Sequence, residues 1–306
     1  VDGLDNDSSG YTDDIMGWDF ADNDNDPFDD IDHGTKVAGV LAAIGNNAYG
    51  IAGVCHQARL MNLKIFTDSM PGATATNASA AIEYATKMGA KVTNNSWGGL
   101  RRHSLIEDAI EDAGLQGRIF VASAGNLASD NDSQPFYPAS FEFDNVISVT
   151  NTHVGDSLAG DANYGHTTVD LAAPGTNILT LDIGGGTTLS SGTSLSAPLV
   201  VGAVAMTWDY FDTLSPGEVK AKVLRATDYL PQLNDKCQTA GRLNLAKLFY
   251  QFESFINVDI QNVSCHGLAD GSINLTISDW GTAPYHFQWS TGDTLEDLTN
   301  LPAGNY

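Results

Sequence analysis

The chain has 306 residues, enough for one large α/β domain with a small appendage or for two ordinary domains. Apolar residues make up 42% and charged residues 17%, a globular composition that excludes a disordered or coiled-coil chain. The 14 Lys and Arg against 38 Asp and Glu leave a net charge of -24, which repels phosphate backbones and anionic membranes and excludes nucleic acid as a partner.

Many of the aspartates crowd the first 32 residues. Asp5, Asp7, Ser9, Gly10, Tyr11 and Asp13 are spaced like the first part of a calcium loop: alternating oxygen ligands, a glycine for the sharp turn, then a carbonyl. The bidentate Glu that would close an EF-hand is missing. Structural calcium held by Asp5, Asp7, Ser9, Tyr11 and Asp13 stands against a merely solvated acidic loop. A second acidic run, Asp22 to Asp26 with Asp29 and Asp30, carries a weaker signal of the same kind.

His33-Gly34-Thr35-Lys36-Val37-Ala38-Gly39 opens a helix expected over 34–45. A helix N-terminus disfavours an imidazolium and fixes the ring's direction, as a general base requires; alone, such a histidine would be structural. Cys55 follows in an apolar run, where a buried free thiol is the default, and no CxxC spacing marks zinc.

Strands at 58–66, 91–96, 118–123, 146–150 and 169–171 alternate with helices at 75–89, 103–114, 195–211 and 216–226. That order predicts a parallel sheet flanked by helices. Asn95-Ser96-Trp97-Gly98-Gly99 follows one strand and offers an edge to an extended peptide. Val121-Ala122-Ser123-Ala124-Gly125-Asn126 ends another in a small-residue turn, from which Asn126 can donate its side-chain amide to a developing oxyanion. Gly192-Thr193-Ser194-Leu195-Ser196-Ala197-Pro198 runs into a long apolar helix; a hydroxyl there has its own N–H aimed where an oxyanion forms, and Pro198 is expected in the first turn. Trp208, Tyr210 and Phe211 are expected in the core.

From about Asn257 the chain becomes Gly-, Thr- and Asp-punctuated, with alternating segments such as SINLTIS and YHFQWS. This predicts a small all-β module, with the division drawn at 1–254 and 255–306. No stretch reaches the apolar length of a membrane span. The absence of an initiator Met and of a leader pattern, and the stop on LPAGNY, read as cuts in a longer chain.

HGTKVAG, NSWGG, ASAGN and GTSLSAP, in this order, resemble the motifs of the subtilisin-like serine peptidases, over residues 1–250. The resemblance implies a secreted, monomeric endopeptidase that acts on polypeptides. In it His33 is the base, Ser194 the nucleophile and Asn126 the oxyanion donor, while Ser96, Trp97, Gly98 and Gly125 bind substrate. Lys36 stands where the family often has a second histidine, a position without a catalytic role. The family's triad aspartate lies in Asp-Thr-Gly or Asp-Ser-Gly after an apolar strand, and neither occurs before His33. The expectation is a domain truncated at its N-terminus, its aspartate upstream of residue 1, inactive as it stands.

The segment after Cys265 resembles the SprB-type adhesin repeat, an immunoglobulin-like β module of secreted and cell-surface proteins. It does so through Cys265-His266-Gly267, Asp270 to Ile273, Pro284-Tyr285 and Leu301 to Tyr306. That opens a second reading, an adhesin built on an inactive peptidase scaffold.

Overall fold

Completely buried strands can pair only with other strands, and two such runs, Ile119–Ser123 and Val146–Thr152, set the frame of this protein. The computed structural model describes residues 2–66, 73–249, 256–265, 267–277 and 287–306. The chain divides into two units, Val1–Leu248 and Phe249–Tyr306.

In the larger unit the elements are β1 (Gly17–Asp19), α1 (His33–Ala42), β2 (Asn62–Lys64), α2 (Ala75–Lys87), β3 (Val92–Asn95), α3 (Ser104–Leu115), β4 (Ile119–Ser123), β5 (Val146–Thr152), β6 (Leu171–Pro174), β7 (Ile178–Leu181), β8 (Thr187–Ser190), α4 (Thr193–Tyr210), α5 (Pro216–Arg225), β9 (Thr227–Tyr229) and β10 (Gly241–Leu243). Six strands form one sheet in the order β3-β4-β5-β6-β10-β9, parallel except for β9. The mixed sheet with flanking helices agrees with the α/β reading. The strand expected over 58–66 is shorter, and β2 pairs in parallel with β1 alone, in a separate ladder with Trp18 opposite Leu63.

α4 is apolar on nearly every side because it is surrounded: it packs on β3, β4, β5 and β6 and touches α1 and α5. Pro198 lies in its second turn, not the first, so it removes a helical N–H and leaves the carbonyl of Ser194 without its usual donor. Ser96 fills the vacancy, its Oγ donating to that carbonyl at 2.8 Å.

The acidic arm is fastened by aromatic packing and by the few cations nearby. Tyr11 stacks on Trp18, Phe20 and Tyr84 with ring centroids 4.8–5.4 Å apart. The Tyr84 hydroxyl donates to Asp14 at 2.5 Å, and Lys87 Nζ donates to the Ser9 carbonyl at 2.9 Å. Lys64 lies between Asp19 at 3.0 Å and Asp30 at 2.5 Å. Burial alone would lower its pKa, but the two carboxylates raise it above the usual lysine range.

Three details differ from expectation. Tyr210 is 63% exposed and stacks edge-on against Phe211 at the end of α4, while Trp208 is buried; residue 210 falls on the solvent face of the helix. Cys55 is a free thiol but only half-buried; Cys237 is free and buried, Cys265 free and exposed. The β7-β8 hairpin lies in a segment to which no element is assigned from sequence, although Gly185 and Gly186, both at positive φ, supply its turn.

The smaller unit holds β11 (Ile256–Gln261), β12 (Gly271–Ile277) and β13 (Leu298–Leu301) in one antiparallel sheet, an all-β arrangement. Val258 opposite Leu275 and Ile260 opposite Ile273 share one face; Asp259 opposite Asn274 and Gln261 opposite Ser272 share the other. His266, Pro284 and Tyr285, among the residues that carry the SprB resemblance, lie outside the described residues.

Asp170, just before β6, accepts the Ser148 N–H at 2.7 Å and faces Lys220 Nζ at 3.7 Å, with its side chain 16% exposed. Burial pushes its carboxyl above the ordinary carboxylate value, against the pull of Lys220 and the Ser148 amide. An acid raised in the folded state subtracts stability as pH rises through its folded pKa. Asp170→Asn keeps an oxygen acceptor for the Ser148 amide and removes the titration, so thermal melts of variant and wild type should diverge in the variant's favour as pH rises above about 4, the ordinary aspartate value. A difference that does not change with pH would refute this.

Candidate active site

Parallel strands open their loops at their carboxyl ends, and two neighbours here carry most of the candidate residues. β3 ends at Asn95 and leads into Ser96, Trp97 and Gly98; β4 ends at Ser123 and leads into Ala124, Gly125 and Asn126. Asn95 and Ala122 are register partners, so the loops leave the sheet side by side. Trp97 is half-buried and packs against the hydrophobic cluster that includes Phe120 and Phe141.

The third approach comes from β8 through Gly192 into α4. Gly192 sits at φ +135°, a conformation suited to glycine, and its N–H donates to the Gly175 carbonyl at 2.8 Å. A glycine has no side chain to cap the helix, and Asn126 does so from across the cleft. Its Oδ1 accepts the Thr193 N–H at 2.9 Å and the Thr193 hydroxyl at 3.1 Å. The same hydroxyl accepts the Gly125 N–H at 3.2 Å.

That cap decides which donors stay free. The Thr193 N–H is taken by Asn126 and the Leu195 N–H by the Gly192 carbonyl at 3.0 Å. The Ser194 N–H, in a first turn with no intrahelical partner, and the Nδ2 of Asn126 have no acceptor among the described residues. Two unclaimed donors therefore stand at the start of α4, where Ser194 lies. The Ser194 hydroxyl is half-buried and donates to the Ser96 carbonyl at 3.4 Å.

Two completely buried asparagines hold the Asn126 loop from below. Asn163 Oδ1 accepts the N–H groups of Leu127 at 2.7 Å and Ser129 at 3.2 Å. Asn163 Nδ2 donates to Asn131 Oδ1 at 3.0 Å, and Asn131 Nδ2 to the Ala124 carbonyl at 2.9 Å. No sequence signal pointed to Asn131 or Asn163, which lie far apart in the chain; Thr193 was visible inside its motif but without a role.

His33 is the first residue of α1, which packs against α4. Its neighbour Asp32 adopts a left-handed conformation and makes no side-chain cap; Asp29 Oδ2 instead accepts the Thr35 N–H at 2.6 Å. β7 fixes the same turn, since Thr180 Oγ1 donates to the Lys36 carbonyl at 2.5 Å and the Ile183 N–H donates to Asp32 at 2.9 Å. Lys36 itself pairs with Asp32 at 2.6 Å. The His33 ring makes no hydrogen bond with a described residue. Burial pushes its pKa below the ordinary histidine value, with Asp29 and Asp32 opposing and Lys36 adding to the shift. The imidazole is thus neutral at neutral pH, the form a general base needs.

In the acidic arm, oxygens from alternate positions gather around Ser9. Its N–H is shared by Asp5 Oδ1 at 3.1 Å and Asp7 Oδ1 at 2.9 Å, and its hydroxyl donates to the Tyr11 carbonyl at 3.1 Å. Asp5 Oδ2 accepts the Gly10 N–H at 2.9 Å. Asp13 is not brought in: it accepts the N–H groups of Asp2 and Gly3. Among the described residues no three acidic, histidine or cysteine side chains converge as a metal site.

The subtilase family matches residues 2–247, and the SprB repeat matches residues 257–294. A thermophilic serine proteinase of Bacillus sp. (strain AK1) is 42% identical over 192 residues, 63% of this chain and 46% of that protein. Thermitase of Thermoactinomyces vulgaris is 37% identical over 192 residues, 63% of this chain and 66% of that one. The chain thus spans between about half and two thirds of these relatives. Among solved structures, a cold-adapted subtilisin-like serine proteinase superposes with a TM-score of 0.63 at 27% identity, covering 74% of this chain and 78% of its own. Subtilase cytotoxin SubAB superposes with a TM-score of 0.66 at 25% identity, covering 76% and 81%.

Thr193→Val deletes one of the two bonds that hold Asn126 and leaves the backbone bond. If the hydroxyl positions the oxyanion donor, kcat on a peptide substrate should fall about tenfold with KM nearly constant. An equal change in KM alone would assign Thr193 to substrate binding.

Proposed function

The chain belongs to the subtilase family, and we propose that it forms most of a secreted or cell-surface serine endopeptidase. The observation that carries this reading is the pair of unclaimed donors, Asn126 Nδ2 and the Ser194 N–H, beside a serine hydroxyl at a helix N-terminus. His33 takes the proton of Ser194 Oγ as that oxygen attacks the scissile carbonyl carbon. The oxyanion rests on the two donors, and His33 passes the proton to the leaving amine. Water, deprotonated by the same ring, releases the acyl group and restores Ser194. The polypeptide substrate lies along Ser96 to Gly98 and against Gly125.

The orienting carboxylate comes from a segment upstream of residue 1, in a parallel strand between β2 and β3. Two observations favour this. His33 has no carboxylate bonded to its ring among the described residues. β2 and β3, joined through α2, stand in separate sheets, and one further parallel strand would unite them. Without that segment the chain is inactive. The enzyme acts as a monomer, and no helix among the described residues is long and apolar enough to cross a membrane.

A structural calcium ion that Asp5, Asp7, Ser9, Tyr11 and Asp13 would hold is part of the proposal; the turn around Ser9 supports it by bringing Asp5, Asp7 and the Tyr11 carbonyl to one residue, while Asp13 accepts from Asp2 and Gly3 instead. The ion would supply structural charge compensation there, and no catalytic step. A second reading, a surface adhesin on a silent scaffold, is favoured by the SprB match alone. It leaves the paired donors without a purpose.

In the full-length enzyme, Ser194→Ala or His33→Ala should each remove nearly all turnover of a casein substrate, and Asn126→Ala should lower kcat by roughly a hundred- to a thousandfold. Retention of more than about 1% activity in either of the first two would sink the assignment. For calcium, the thermal midpoint should fall on chelation, and Asp5→Ala with Asp7→Ala should abolish that fall. An undiminished calcium response in the double variant would place the ion elsewhere.

A further inference from the structure

The space between the two substrate-binding walls is not empty. A Cβ built on Gly98 would lie 2.4 Å from Cε1 of Phe136, and one built on Gly125 would lie 3.1 Å from Cδ1 of the same ring. One edge of one aromatic ring therefore lies against the backbone of both walls; a side chain at residue 98 would run into the ring, and at residue 125 the φ of +108° and Asn163 Nδ2, 2.6 Å from such a Cβ, exclude one as well. Phe136 is half-buried, so part of the ring remains accessible.

The ring is held in place by its backbone. Gly99 and Tyr137 exchange both of their main-chain hydrogen bonds at 2.8 Å, which ties the segment to the end of the NSWGG loop. The Phe136 N–H donates to Ser140 Oγ at 3.1 Å, and its carbonyl accepts the Ser140 N–H at 2.9 Å. Antiparallel pairing at Gly99 turns the N–H and C=O of Gly98 to the opposite side, the side left for an incoming peptide. In the reaction proposed above, an acyl-side residue whose carbonyl carbon meets Ser194 Oγ and whose N–H reaches the Ser96 carbonyl would direct its side chain between Gly98 and Gly125, onto the ring.

We infer that Phe136 is a specificity-determining residue that restricts the acyl-side residue of the substrate to glycine, alanine or serine. The inference rests on the serine-peptidase reading above. A filled pocket rejects a larger side chain because the ring has nowhere to go without breaking packed contacts.

The test is hydrolysis of succinyl-Ala-Ala-Pro-X p-nitroanilides, with X as Ala, Leu or Phe, by the full-length enzyme. The wild type should favour Ala over Phe by at least tenfold in kcat/KM, and Phe136→Ala should raise the Phe-to-Ala ratio by on the order of a hundredfold. Should the alanine variant fail to fold, Phe136→Leu keeps an apolar contact, and its ratio should fall between the two. A wild type that prefers Phe, or ratios that move less than about threefold in the folded variants, would overturn the inference. If no member of the series is cleaved and a fluorophosphonate leaves Ser194 unlabelled, the peptidase reading itself falls, and the role of Phe136 with it.

Discussion

The candidate site depends on one oxygen atom, Oδ1 of Asn126, and its commitment to both polar groups of Thr193. A helix that starts at a glycine has a deficit of acceptors at its N-terminus, and this chain fills the deficit from a different strand. Because the cap is borrowed, it ties the end of β4 to the start of α4 and fixes which face of the Asn126 amide remains open. The two buried asparagines below serve the same constraint, since they hold the loop from which the cap is offered.

A second tie runs through the backbone of Ser194. Pro198 cannot donate, the Ser194 carbonyl is left over, and Ser96 Oγ takes it, while the Ser96 carbonyl receives the Ser194 hydroxyl. The β3 loop and α4 thus exchange hydrogen bonds in both directions. A proline that reads as a mere helix-start residue thus leaves free the carbonyl by which the loop after β3 is tied to α4.

What could be read in the sequence follows from how local the cause is. Helix starts at His33 and Thr193 and the buried runs of β4 and β5 announce themselves within a few residues. Their motifs also single out Asn126, Ser96 and Ser194 from neighbouring residues alone, and the structure bonds Asn126 to Thr193 and Ser96 to Ser194. Asn131, Asn163 and Phe136 are fixed by contacts that span long stretches of chain, so no window of sequence contains their reason. β1 and β2 were hidden or overextended because each is only three residues long, and their pairing depends on an arm that looks like loop. The position of Pro198 was misjudged because the helix begins at Thr193, two residues ahead of the apolar run.

The acidic arm carries a consequence of a different kind. Carboxylates outnumber cations nearly threefold in the chain, and the arm is fastened through Lys64 and Lys87. Dissolved salt at 0.1 M largely screens exposed carboxylates that lie more than about 10 Å apart, while the Lys64–Asp19 pair, withdrawn from water, feels it less. Brine therefore removes more repulsion than attraction from this region. By this argument the arm holds more firmly as salt rises, the reverse of a segment held by exposed ion pairs.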